Sequence, residues 1–143
     1  MPPINYADYP VNWKTEIRPA ILKRANNCCE SCKVENYSIV FRGFINRNQP
    51  TEKEIYQDIE GRVFDADNSN LLFTDFFASI YPLNGNPESK AIKIVLTIAH
   101  LDHCIKNNNY ENLRAWCQRC HNRYDSVNRR ENRKKKQPDL FDQ

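Results

Sequence analysis

Two Cys-x-x-Cys pairs constrain this chain more than any other feature: Cys29-Glu30-Ser31-Cys32 near its start and Cys117-Gln118-Arg119-Cys120 near its end. Each pair can set two sulfurs on one side of a tight turn, and four thiolates in a tetrahedron are the closed shell that a structural zinc prefers. The pairing predicts one structural zinc held by Cys29, Cys32, Cys117 and Cys120. Such a clip ties residue 29 to residue 120, so most of the chain becomes a loop closed by metal, and metal binding becomes folding free energy. Cys28 and Cys104 are left over. Cys28 offers a second, poorer register through Cys28-x-x-x-Cys32, and Cys104 reads as an ordinary loop or packing residue. A thioredoxin-like redox pair is the competing reading of one Cys-x-x-Cys, but two matched pairs without a βαβ pattern around either argue against it.

The chain has 143 residues, 40% hydrophobic and 27% charged, which suits a single domain over 1–143 and leaves little room for two cores. Six cysteines would also fit a disulfide framework, which needs an oxidising compartment. Residues 1–10 show no basic-then-apolar export signal, and the longest apolar stretch, Ala91 to Ala99, is broken by Lys93 and Thr97 and is far too short to cross a bilayer. The expectation is a soluble cytoplasmic protein with reduced thiols and no membrane partner. Only three glycines (Gly43, Gly61, Gly85) argue against a glycine-rich phosphate loop.

Residues 14–26 read as an amphipathic helix with Ile17, Ile21, Leu22 and Ala25 on one stripe and Pro19 tolerable near its first turn. Residues 13–36 thus hold an N-terminal helix and the first cysteine knuckle. Residues 37–90 alternate short apolar runs (38–45, 55–59, 62–64, 71–81) with polar stretches, which predicts a β-rich insertion, with a short helix around Leu71 to Ser79 as a further reading. Residues 91–101 predict a single strand with Ile92, Ile94, Leu96, Ile98 and His100 on one face. Helix signals return at His121 and run to about Lys135, limited by Pro138. The fold class expected is α+β.

Charge is distributed unevenly. The net charge is +3, but residues 123–136 carry seven basic and two acidic side chains, and residues 51–90 carry eight acidic and three basic ones. The cationic C-terminal helix suits a polyanion; the acidic insertion does not, and it is a candidate for docking a protein partner.

All three histidines, His100, His103 and His121, fall in one short segment with Asp102, Asn112 and Asp125, a clustering that favours a site. The run Ile98-Ala99-His100-Leu101-Asp102, then Asn107-Asn108, then Glu111-Asn112-Leu113, then Cys117-x-x-Cys120-His121 resembles the HNH endonuclease family, as does the upstream Cys29-x-x-Cys32. The resemblance covers about residues 10–36 and 91–127. It implies a ββα-metal core (91–136) gripping one divalent ion, Mg2+, Mn2+ or another, beside a scissile phosphate of double-stranded DNA. It casts His100 as general base, Asn112 as the asparagine that orients the base-bearing loop or touches the metal, and His121 as the helix ligand. Asp125 follows His121 at i+4, on the same helix face.

Phosphodiester hydrolysis needs a base near neutral pH and a cation for the developing charge, and these residue types meet both needs. One departure stands out: many family members carry a metal ligand just before the base, and here that residue is Ala99. Asp102 or His103 can substitute, or the ion rests on His121 and Asp125 alone. Registering the motif on Asp102-His103 makes His103 the base, but its spacing to Asn112 is then nine rather than twelve. Arg123, Arg129, Arg130, Arg133 and Lys134 are the expected phosphate contacts, salt-dependent and mostly blind to base sequence. The resemblance implies a metal-dependent endonuclease leaving 5′-phosphate ends; a zinc-stabilised DNA-binding or adaptor protein is the alternative. A purely structural zinc module would leave the placement of the histidines to chance.

Overall fold

The computed structural model describes residues 8–74, 81–82 and 91–136. Its first elements follow from the apolar stripe near the N-terminus. A π-helical turn, Trp13–Ile17, runs directly into helix α1, Arg18–Arg24, with Pro19 in the first turn, where its missing N–H costs nothing. Trp13, Ile17 and Ile21 are buried, and Leu22 and Ala25 pack beside them, as the predicted stripe requires. Asn26 and Asn27 then adopt left-handed backbone (φ 55° and 58°), which asparagine tolerates better than most residues, and turn the chain toward Cys28.

The insertion forms an antiparallel meander of β1 (Ile39–Ile45), β2 (Lys53–Asp58), β3 (Arg62–Asp65) and β4 (Leu71–Thr74). Two short strands, β5 (Tyr81–Pro82) and β6 (Ile92–Lys93), share the other edge of β1. The strands expected at 38–45, 55–59 and 62–64 correspond to β1, β2 and β3. Leu71–Thr74 is extended and paired with β3 rather than helical, and residues 75–79 of the expected short helix lie outside the described residues.

The single strand expected over 91–101 is two strands in two sheets. β6 pairs with β1, whereas β7 (Thr97–His100) pairs antiparallel with β8 (Leu113–Trp116). Between them the backbone of 94–96 is tied to residues 36–38: Tyr37 N–H donates to the Ile94 carbonyl (2.7 Å), and Leu96 N–H donates to Asn36 Oδ1 (3.0 Å). The one-face pattern is broken as a result, with Ile92 exposed and Ile94 and Leu96 buried.

Helix α2 spans Gln118–Lys136 and starts three residues earlier than expected, because the Cys117 carbonyl already accepts the His121 N–H (2.9 Å). The β7–β8 hairpin has helix on both faces. Alternation puts Ile98, His100, Leu113 and Ala115 on the side of the N-terminal helix, and Thr97, Ala99, Arg114 and Trp116 on the side of α2. Leu113 and Ala115 join Ile17, Ile21, Val34 and Leu96 in a core that also contains all four cysteines of the two knuckles. No described helix is long and apolar enough to cross a membrane.

Candidate metal centre and the histidine cluster

The two cysteine knuckles meet. The sulfurs of Cys29, Cys32, Cys117 and Cys120 all lie within 4.8 Å of one another, and all four residues are buried. The first knuckle is a tight hairpin: Cys29 N–H donates to the Val34 carbonyl and Lys33 N–H to the Cys29 carbonyl (2.9 Å each), with Lys33 left-handed at φ 71°. The second places Cys117 just before α2 and Cys120 in its first turn, where the helix dipole favours a thiolate. Backbone N–H groups of Cys32 (3.5 Å) and Cys117 (3.3 Å) point at Cys29 Sγ.

The chemistry of this donor set fits a tetrahedral metal. Metal–sulfur bonds of about 2.3 Å place tetrahedral sulfurs about 3.8 Å apart, and Cys32 Sγ and Cys117 Sγ are 3.6 Å apart, too far for a disulfide. The thiol protons are held unequally. Hydrogen bonding with Cys117 lowers Cys29 and brings Cys120 down to about 6, while hydrogen bonding with Cys117 raises Cys32 and hydrogen bonding with Cys120 raises Cys117. Four cysteines that can hold one metal ion are therefore present. Of the spare cysteines, Cys28 is half-buried and outside this group, and Cys104 is exposed.

The loop between β7 and β8 is built around Asn112. Its side chain donates to Asp102 Oδ1 and to the Asn107 carbonyl (2.9 Å each) and accepts from the Asp102 N–H (3.1 Å). Asp102 also accepts from Asn107 Nδ2 (2.8 Å) and the Cys104 N–H (2.9 Å). These hydrogen bonds, that from Asn107 foremost, bring the Asp102 carboxyl down to about 2. Asp102 thus spends its oxygens on the loop, and the structure does not bring it to His121 and Asp125.

His100 is the last residue of β7, buried against Trp13, whose ring stacks on it at 5.4 Å and 12°. Its Nε2 lies 2.9 Å from Asn108 Oδ1, and the Asn108 amide is oriented by donation to the Ile105 carbonyl (3.1 Å). This assigns the proton to Nε2 and leaves Nδ1 as the basic nitrogen. His103 lies on the other side. It stacks on Tyr124 (5.2 Å, 19°), and the Tyr124 hydroxyl donates to the Leu101 carbonyl. Asp125 stands between two imidazoles, 3.5 Å from His121 Nε2 and 3.8 Å from His103 Nδ1, and His121 Nδ1 shares a 2.8 Å hydrogen bond with Thr97 Oγ1. The three histidines therefore fall into two settings: His103 and His121 share Asp125 on the α2 side, and His100 faces the N-terminal helix. Among the described residues, the four cysteines are the one group of three or more His, Cys, Asp or Glu side chains gathered closely enough to hold a metal as they stand.

Several residues that matter here carry no local signal. Trp13 reaches His100 only through the tertiary fold, whereas Tyr124, one helical turn after His121, has a spacing that sequence inspection can find. On α2, Arg119 forks onto Glu54 (3.0 and 2.8 Å) and reaches Asp67 (2.9 Å) and the Ala66 carbonyl (3.1 Å). Arg123 lies near the same two acids, 3.8 Å from Glu54 and 3.5 Å from Asp67. Arg129, Arg130 and Arg133 are exposed farther along α2; Lys134 belongs to the helix, and its side chain lies outside the described part. Comparison with protein-family models, curated proteins and solved structures returns no significant match.

Proposed function

We propose that this chain is a metal-dependent endonuclease of the HNH type that hydrolyses DNA phosphodiester bonds, with a separate structural zinc on Cys29, Cys32, Cys117 and Cys120. The observation that carries the reading is the order β7, turn, β8, α2, with His100 at the strand end, Asn112 clamping the turn, and His121 and Asp125 on one face of the following helix. In this reading His103, rather than Asp102, joins His121 and Asp125 in holding the catalytic divalent ion, since Asp102 is committed to Asn107 and Asn112. When bound, that ion supplies charge neutralisation at the phosphate. His100 Nδ1 takes the proton of the attacking water, with the ring held by Asn108 and Trp13. His100 and His103 pack on different sides of the hairpin, both at its turn end, where the His103 N–H donates to the His100 carbonyl (3.0 Å).

The test is nicking of supercoiled plasmid with Mg2+, Mn2+ or Ni2+. The wild-type chain cleaves, and His100→Ala abolishes cleavage while retaining zinc. Cleavage that survives in His100→Ala and disappears in His103→Ala moves the base to His103. A second reading is favoured by one observation: Ala99, a residue without ligating atoms, is buried on the α2 side of β7. It makes the chain a zinc-stabilised DNA-binding or adaptor protein. That reading requires DNA binding, no cleavage with any of the three ions, and one metal per chain by native mass spectrometry; zinc plus a second, weaker ion supports the enzyme.

A further inference from the structure

Arg42, on strand β1 of the insertion, is 8% exposed, and its guanidinium sits at the edge of the cysteine cluster with Nη2 4.0 Å from Cys117 Sγ. The guanidinium also lies over the face of Tyr56, its cross-strand partner, 5.8 Å from the ring centre. Nη1 is buried with no hydrogen-bond partner, and no carboxylate pairs with Arg42 among the described residues. A guanidinium stays charged at any physiological pH, and a buried charge without an opposite charge is strongly unfavourable. Four neutral thiols do not offset it. Four thiolates around a divalent ion do, because the complex carries two net negative charges.

We propose that Arg42 is the fixed counter-charge of a metal–tetrathiolate dianion, so that the β-rich insertion completes the metal centre electrostatically. The inference rests on the cysteine cluster binding zinc, and it is independent of nuclease activity. It gives residues 37–90 a task that the acidic composition of much of that segment does not suggest: β1 carries a cation to the edge of the cysteine cluster, where metal binding would concentrate negative charge.

The experiment measures zinc affinity of the full chain by chelator competition for wild type, Arg42→Met and Arg42→Lys. Met retains the aliphatic stem and removes the charge; Lys retains the charge and loses the planar fork. Partners around the ligands of a metal typically change its affinity 10- to 100-fold, so Arg42→Met is expected to bind zinc about 10- to 100-fold more weakly, with Arg42→Lys recovering most of the loss. Arg42→Met binding as tightly as wild type, or Met and Lys equally weakened as a packing role demands, overturns the proposal. Should Arg42→Met not fold, Arg42→Gln, which retains donors and loses only charge, carries the same expectation. A wild-type chain that takes up no stoichiometric zinc would instead refute the reading of the cluster itself.

Discussion

Replacing Arg119 by Met should cost stability out of proportion to its place on a helix that is otherwise mostly solvent-facing. The Arg119 side chain is 11% exposed and holds α2 to the insertion through Glu54, Asp67 and the Ala66 carbonyl. The Asp67 contact adds little, because that carboxylate is 67% exposed and such pairs contribute at most about 1 kcal/mol. The fork onto Glu54 is different: both groups are largely buried, and hydrogen bonds to charged groups contribute about 1.5–3 kcal/mol each, without strict additivity. Met preserves the packing of the stem, so the loss is that of the fork and the Ala66 contact, roughly 2–4 kcal/mol, with Arg123 leaning on the abandoned Glu54 to keep it from the upper end. Urea unfolding at saturating zinc measures it directly. A Glu54→Gln variant and the double mutant complete a cycle whose coupling energy should reach about 1–3 kcal/mol. Arg119→Lys should fall between, since a single ammonium cannot make the fork. A loss below about 0.5 kcal/mol, within the range of ordinary surface substitutions, or an additive cycle refutes the argument.

Metal removal should be more severe: stripping the chain with a strong chelator is expected to lower its melting temperature by more than about 10 °C or unfold it outright, read by far-UV circular dichroism, and an unchanged melt would exclude a structural metal. Asp102 should titrate near 2 by carboxyl-carbon NMR, against an ordinary 3.8. Because its folded value is depressed, its contribution to stability is complete above about pH 4 and lost as the pH falls toward 2. Asn112→Ala should move the titration back toward 3.8, and a wild-type value already near 4 would show that the loop network is absent in solution. If α2 binds DNA, Arg129→Ala, Arg130→Ala and Arg133→Ala should each reduce the slope of log affinity against log salt by about 1, and a wild-type affinity insensitive to salt would rule out the phosphate contacts.

The cysteine cluster was legible because its chemistry lies in two local motifs whose turns are built from nearby atoms, such as the Cys29–Val34 and Cys117–His121 backbone bonds. The meander was legible as alternating apolar runs. The division of 91–101 into β6 and β7 was not, because what divides it is Asn36, sixty residues upstream of Leu96. The cations are the hardest to read: Arg42 and Arg119 are written like any surface arginine, and only long-range partners separate them from Arg129 or Arg133.

Those partners also change the meaning of the two charge blocks. The acidic insertion and the basic helix appeared as separate properties, one unsuited to a phosphate backbone and the other suited to it. In the fold, Glu54 and Asp67 face Arg119 and Arg123, so the first turns of α2 are internally compensated. Along α2, the arginines that form no ion pair among the described residues begin at Arg129, one turn beyond Asp125. At a rise of about 1.5 Å per residue, Arg129 and Arg133 stand about 6 and 12 Å along the axis from Asp125. With bases stacked about 3.4 Å apart, that is roughly two to four nucleotides along a strand lying beside the helix. On the nuclease reading, α2 therefore grips phosphates displaced from the one that reacts, and neutralising Arg119 and Arg123 with the insertion's own acids keeps competing positive charge away from the His121–Asp125 pair.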